Sequence, residues 1–183
     1  MTSADPTFWI AESAYSEMLQ LAKEHCPNET GGMLLGYLAN TGSAVVTKIV
    51  GPGPNAIHGR FRFTPDGTYQ QNKLEERFWA TDGRETYLGD WHTHPKSDST
   101  PSSLDKRTLA RIALEPLSGT KHPLMAILAG GNGSWSLGAV RLLFAVRRFF
   151  WFEYRLETLH VVFHDHADID QNPNIAAAHA NTF

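Results

Sequence analysis

The stretch Gly89-Asp90-Trp91-His92-Thr93-His94-Pro95, followed after a polar loop by Pro101-Ser102-Ser103-Leu104-Asp105, sets the end of a strand against the start of a helix. Tyr87 to His94 reads as a strand. Residues two apart on a strand face the same side, so His92 and His94 can offer two imidazoles to one point. Pro95 ends the strand and hands the chain to a loop. Ser102 or Ser103 starts a helix that carries Leu109, Ile112 and Ala113 inward and stops before Pro116. Asp105 falls in its first turn, from where its carboxylate can swing toward the histidines. A strand delivering its C-terminal end to a helix in this way indicates an α/β architecture.

Working outward, the glycine-bounded run Gly31 to Tyr37 reads as a buried strand. Ser43 to Val50 pairs with it in a hairpin turned by Asn40-Thr41-Gly42. Before it, Phe8-Trp9-Ile10 forms a short first strand. Ser13 to His25 then places Tyr15, Met18, Leu19 and Ala22 at helical spacing, and Pro27 ends that helix. Gly51-Pro52-Gly53-Pro54-Asn55 is a loop by composition. Phe61 and Phe63, alternating with Arg60 and Arg62, predict a strand. Asp66 caps a second helix running to about Thr81, with Leu74 and Phe78 on one face. Beyond the third helix, Leu124 to Leu128 is a buried strand ending in Gly130-Gly131, and Trp135 to Val146 and Leu156 to Phe163 read as late strands. No internal repeat or linker interrupts the chain. The expected fold is a single sandwich-like α/β domain over residues 1–164, a mixed sheet flanked by helices. Residues 165–183 form a polar, alanine-rich surface helix or loose tail.

The composition fits a globular chain of 183 residues: 42% hydrophobic and 19% charged. A net charge of −3 gives no electrostatic case for nucleic acid or an anionic membrane as the main partner. The single cysteine, Cys26, can form neither an internal disulfide nor a cysteine-rich zinc site. The N-terminus has neither the basic nor the apolar region of a signal peptide. The densest apolar run, Leu142 to Phe152, is cut by Arg147 and Arg148 and is no membrane span. These features predict a soluble, cytoplasmic protein.

Two histidines and a carboxylate would leave the fourth position of a tetrahedral zinc open for water, whose pKa zinc lowers to roughly 7. Each piece also has an ordinary reading. His-x-His is common on surface strands, and Ser-x-x-Asp ahead of an apolar helix is a capping box. The joint spacing, H-x-H-x7-S-x-x-D, is far more specific. A hydrolytic site also needs a general base. With no H-E-x-x-H in the chain, the candidate is Glu29, in Glu29-Thr30-Gly31-Gly32 at the entrance to a buried strand. Position alone would equally allow a surface glutamate.

Glu29 with its Thr-Gly-Gly, the His-Thr-His-Pro, and the spaced Ser102 and Asp105 resemble the JAMM motif of the JAB/MPN metallopeptidases. The resemblance covers about residues 8 to 146. It implies an MPN-like, cytidine-deaminase-like fold. It also implies that His92, His94 and Asp105 hold Zn2+, that Glu29 activates water, and that Ser102 steadies the oxyanion. The family's best-known reaction is cleavage of isopeptide bonds to ubiquitin or a ubiquitin-like protein. The compact length, with the stretch from Gly51-Pro52-Gly53-Pro54-Asn55 through Tyr69-Gln70-Gln71, resembles stand-alone bacterial members. Those are often encoded beside ubiquitin-activating-like and ubiquitin-conjugating-like enzymes in antiphage operons. The implied partners are a ubiquitin-like protein or its conjugates, and such enzymes. In family members an extended tail adds along a strand edge, and Gly31 and Gly32 would let its backbone approach the base. The segment beyond Val146 departs from the minimal domain.

A second cluster, His160, His164, His166 and Asp168, has metal-ligand residue types but no base. His58 and His122 read as loop histidines, and Arg147 and Arg148 as a solvated turn able to meet an acidic partner. A nucleobase deaminase would need H-x-E and P-C-x-x-C, which a chain with Cys26 alone cannot supply. A non-catalytic MPN-like scaffold and a general zinc peptidase are two further possibilities. Scaffolds typically lack one or more motif residues, whereas this chain keeps all five.

Overall fold

The glycine-bounded run becomes strand β2 (Gly31–Leu38), and it pairs antiparallel with β3 (Ala44–Val50). The structure, a computed structural model, describes residues 6–131 and 133–165. β1 (Thr7–Ala11) leads directly into α1 (Glu12–His25), and β2 pairs on its other side with β6 (Thr86–Pro95). β6 lies parallel to β7 (Leu124–Gly131). A parallel pair needs a crossover, and α3 (Ser103–Leu114) supplies it. β8 (Ser134–Arg147) and β9 (Phe152–His164) complete the sheet as a long hairpin.

The expected mixed sheet is present, and it closes. β1 runs parallel to β3 on one side and to β9 on the other, so the order β1-β3-β2-β6-β7-β8-β9 returns to its start as a barrel. The segment beyond Val146 therefore supplies the closing strand. Helices cover both faces. Met18 and Ala22 of α1 pack with Phe8, Ile10, Leu34, Ile49 and Trp91. Leu109 of α3 packs with Met125, Ile127, Val140 and Leu142. Alternate residues of β7 feed these two clusters, which is why Leu124 to Ala129 reads as an unbroken apolar run and is buried throughout.

Two expectations need correction. The strand around Phe61 reduces to β5 (Phe63–Thr64), paired with β4 (Ile57–His58) in a separate two-stranded sheet. The chain turns back between them, with Gly59 N–H donating to Arg62 O (2.9 Å), so Phe61 sits at the tip and is 86% exposed. The second helix, α2 (Gly67–Ala80), is capped by Asp66 as expected, but Gln70 is its buried residue. The Gln70 amide donates to the Gly51 carbonyl (3.2 Å). The inner side of α2 thus meets loop backbone at Gln70, and Phe78 stays exposed.

Arg147 and Arg148 border the β8–β9 turn, where Arg148 pairs with Glu153 at 2.7 Å. His166, Asp168 and the rest of the expected tail lie outside the described residues. Among the described residues, no helix is long and apolar enough to cross a membrane.

Candidate metal centre and active site

β6 and α3 bring the two halves of the motif together. His92 and His94 occupy alternate positions on β6, and their Nε2 atoms converge to 3.0 Å. Asp105 lies beneath them, with Oδ1 3.3 Å from His92 Nε2 and Oδ2 3.4 Å from His94 Nε2. These are the one group of three such side chains, among the described residues, whose ligand atoms gather closely enough to hold a metal ion. The second cluster does not gather among the described residues. His160 is exposed, His164 is buried at the end of β9, and their partners His166 and Asp168 are not described.

The donor chemistry fits a metal. His94 Nδ1 donates to the Asp98 carbonyl (3.0 Å). In the neutral ring this places the proton on Nδ1 and leaves the Nε2 lone pair facing the point of convergence. Burial would raise the Asp105 carboxyl. The pull of His92, His94 and Ser102 beside it outweighs burial and holds the carboxyl well below the usual range. A buried anion facing two ring nitrogens is an arrangement that a divalent cation completes.

Ser102 is the N-cap of α3. Its Oγ accepts the Asp105 N–H (3.2 Å) while its own N–H donates to Asp105 Oδ2 (2.6 Å), a complete capping box. The capping and catalytic readings of Ser-x-x-Asp are therefore compatible. A hydroxyl that accepts through its oxygen keeps its hydrogen free to donate. Ser102 also lines a cleft with Glu29, His94, Leu104 and Asp105.

Glu29 stands across that cleft, half-buried just ahead of β2. Burial raises its carboxyl above the ordinary range, against the pull of His92 and His94. A carboxylate so placed is a better proton acceptor than one on an open surface. Its backbone is fixed through its neighbour. Thr30 N–H donates to Thr93 Oγ1 (3.0 Å), and Thr93 N–H donates to Thr30 O (2.8 Å). The threonine between the two histidines, fully buried on the opposite face of β6, thus ties the segment carrying the base to the strand carrying the ligands. The motif alone does not single out this residue. Its signal is its position, since period-two alternation turns Thr93 away from the histidines and into the protein.

The role expected for Gly31 and Gly32 is not the one observed. A Cβ on Gly31 would strike the Trp91 carbonyl and lie 2.9 Å from His92 Cβ, and one on Gly32 would strike the Val50 carbonyl. The missing side chains let neighbouring strands of the protein close up, rather than admitting a substrate backbone. Gly31→Ala is accordingly expected to push His92 out of place. Affinity for a divalent metal, zinc being the one to titrate, should fall by about 10–100-fold, the scale seen when the groups that orient ligands are lost, and the melting temperature should drop with it. Unchanged zinc affinity in a competition titration would contradict this account.

The profile describing prokaryotic homologs of the JAB domain matches residues 11–142. The chain belongs to the JAB family. Among its relatives within curated proteins, a probable metalloprotease of Sinorhizobium fredii is 38% identical over 128 residues, spanning 69% of this chain and 78% of that protein. A Vibrio cholerae protein named CD-NTase/cGAS isopeptidase is 34% identical over 111 residues, or 61% of this chain and 67% of that one. A solution structure of a protein from Desulfitobacterium hafniense shares the fold, with a TM-score of 0.59 at 15% identity over 87% of this chain and 94% of that chain. This JAB protein is thus a hydrolase of the JAB type, with a His-His-Asp group fit to hold a metal.

Proposed function

We propose that the protein is a zinc-dependent isopeptidase that removes or matures a ubiquitin-like protein, in a bacterial conjugation pathway linked to antiphage defence. The observation that carries the reading is that Glu29, Ser102, His94 and Asp105 line one cleft, with His92 gathered beside Asp105 and His94. The relatives named isopeptidase support the bond type. The target in their names, a CD-NTase/cGAS enzyme, is the first conjugate to try. Activating-like and conjugating-like enzymes of the same pathway are the expected companions.

His92, His94 and Asp105 would hold zinc, which when bound would supply a Lewis acid and lower the pKa of water. The protein's own part is to move protons and hold the substrate. Glu29 accepts a proton from the attacking water and passes it to the leaving amine, a lysine ε-amine in an isopeptide. The Ser102 hydroxyl, anchored by the Asp105 amide, donates to the oxygen that gains charge as the carbonyl becomes tetrahedral. Water is the nucleophile, so no covalent acyl-enzyme forms on Cys26 or a serine.

The test uses a ubiquitin-like protein joined through its tail to a target lysine. Chelation should abolish cleavage and zinc should restore it. Blocking the tail with bulky residues should also stop the reaction. Equal cleavage of unstructured peptides with no tail preference would make the protein a general peptidase.

Ser102→Ala separates capping from catalysis. Loss of an oxyanion donor costs roughly 10²–10³ in kcat, with KM little changed, since the bond strengthens in the transition state. Loss of a cap alone costs about 1 kcal/mol of stability. A lowered melting point with near-normal kcat would leave Ser102 a purely structural residue.

A further inference from the structure

We propose that His58 is a positioning residue for Glu29, holding the base through its backbone; the inference rests on Glu29 being the base. Glu29 N–H donates to the Gly59 carbonyl (2.8 Å), and His58 Nδ1 lies 3.0 Å from the Glu29 carbonyl. A carbonyl only accepts, so His58 Nδ1 carries the proton and donates. The β4–β5 hairpin therefore grips both backbone polar groups of Glu29.

The grip resembles one rung of a sheet with a side chain standing in for the backbone. In a strand pair, a main-chain N–H would meet the Glu29 carbonyl. The Gly59 N–H is not free to do so, because it donates to Arg62 O and closes the hairpin turn. The imidazole fills the missing position. Its own orientation is fixed from two sides. His25, in the last turn of α1, stacks on it with ring centroids 3.7 Å apart and planes 9° apart. Phe63 of β5 stands 5.5 Å away, tilted by 40°. The next residue, Thr30, is tied to Thr93 of β6. With these contacts, Glu29 is held from the hairpin on one side and from the ligand-bearing strand on the other. Reach to a proton depends on placement to a fraction of an ångström, and His58 is a local determinant of that placement.

The experiment compares three single variants and one double variant on an isopeptide-linked conjugate of a bacterial ubiquitin-like protein, with zinc content and melting temperature measured on each. His58→Phe keeps a ring against His25 and removes the donor. Its kcat should fall, by up to about 10²-fold for a displacement near 1 Å, with KM and zinc content unchanged. His58→Asn places an amide nitrogen near the position of Nδ1 and should restore most of the lost kcat, although the stack is gone. Glu29→Gln sets the baseline. In the Glu29→Gln background His58→Phe should cause no further loss, because the histidine acts through the glutamate. His58→Phe with wild-type kcat, beside a collapsed Glu29→Gln, would overturn the positioning role and leave the base assignment standing. Full turnover by Glu29→Gln would instead remove the base assignment, and this inference with it. A loss in His58→Phe that persists undiminished in the Glu29→Gln background would place the effect elsewhere and also overturn it.

Discussion

Glu29→Gln is expected to lower turnover by about 10²–10⁴-fold, the typical contribution of a positioned general base, while zinc content stays at the wild-type level. Glutamine has nearly the same size and keeps the same backbone, so the bonds to Gly59 and His58 remain available. What it cannot do is take a proton. Because burial raises the Glu29 carboxyl, the wild-type group holds a transferred proton more readily than an exposed glutamate, which suits a base that must also deliver it to a leaving amine. The loss should fall on kcat, with tail binding unaffected. Retention of turnover within tenfold, zinc present, would place the base elsewhere.

Asp105→Asn should also cost heavily, and in a different observable. The asparagine oxygen can still accept the Ser102 N–H, so α3 keeps much of its capping box. The negative charge facing His92 and His94 is gone, and with it the strongest reason for a cation to stay. Zinc should dialyse away from the variant and remain in the parent. Metal-assisted charge stabilisation is worth several kcal/mol, and about 1.4 kcal/mol is a factor of ten, so turnover should fall by about 10³-fold or more. Ligand binding to the native state stabilises it. Added zinc should therefore raise the melting temperature of the parent and leave that of Asp105→Asn where it was. A variant that retains both zinc and its thermal response would show that the carboxylate is not a ligand.

The site is legible in the sequence to the extent that its members lie on regular elements near one another. Alternation on β6 fixes the shared face of His92 and His94, and the capping pattern fixes Asp105 in the first turn of α3. What stays hidden is set by tertiary placement. His58 and Gly59 reach Glu29 only because the hairpin folds back on the end of α1, and the composition of that loop carries no trace of it. Gly31 and Gly32 suggest substrate approach only because the sequence does not show which strands press on β2. Gln70, rather than Leu74 or Phe78, is the buried residue of α2, because its amide meets the Gly51 carbonyl. The strands themselves are readable from short apolar runs, but the pairing of β1 with β9 is not. It joins segments from opposite ends of the described chain, and no local pattern marks such a partner.

That last pairing separates ancestry from autonomy. The span that matches the family, residues 11–142, omits most of β1, the end of β8 and all of β9. A chain trimmed to that span would carry every residue of the His-His-Asp group, yet it would present two unpaired strand margins where the main sheet of the described residues is closed. Such margins recruit other chains. The piece that closes the sheet is therefore longer than the piece that matches the family, and it runs to His164.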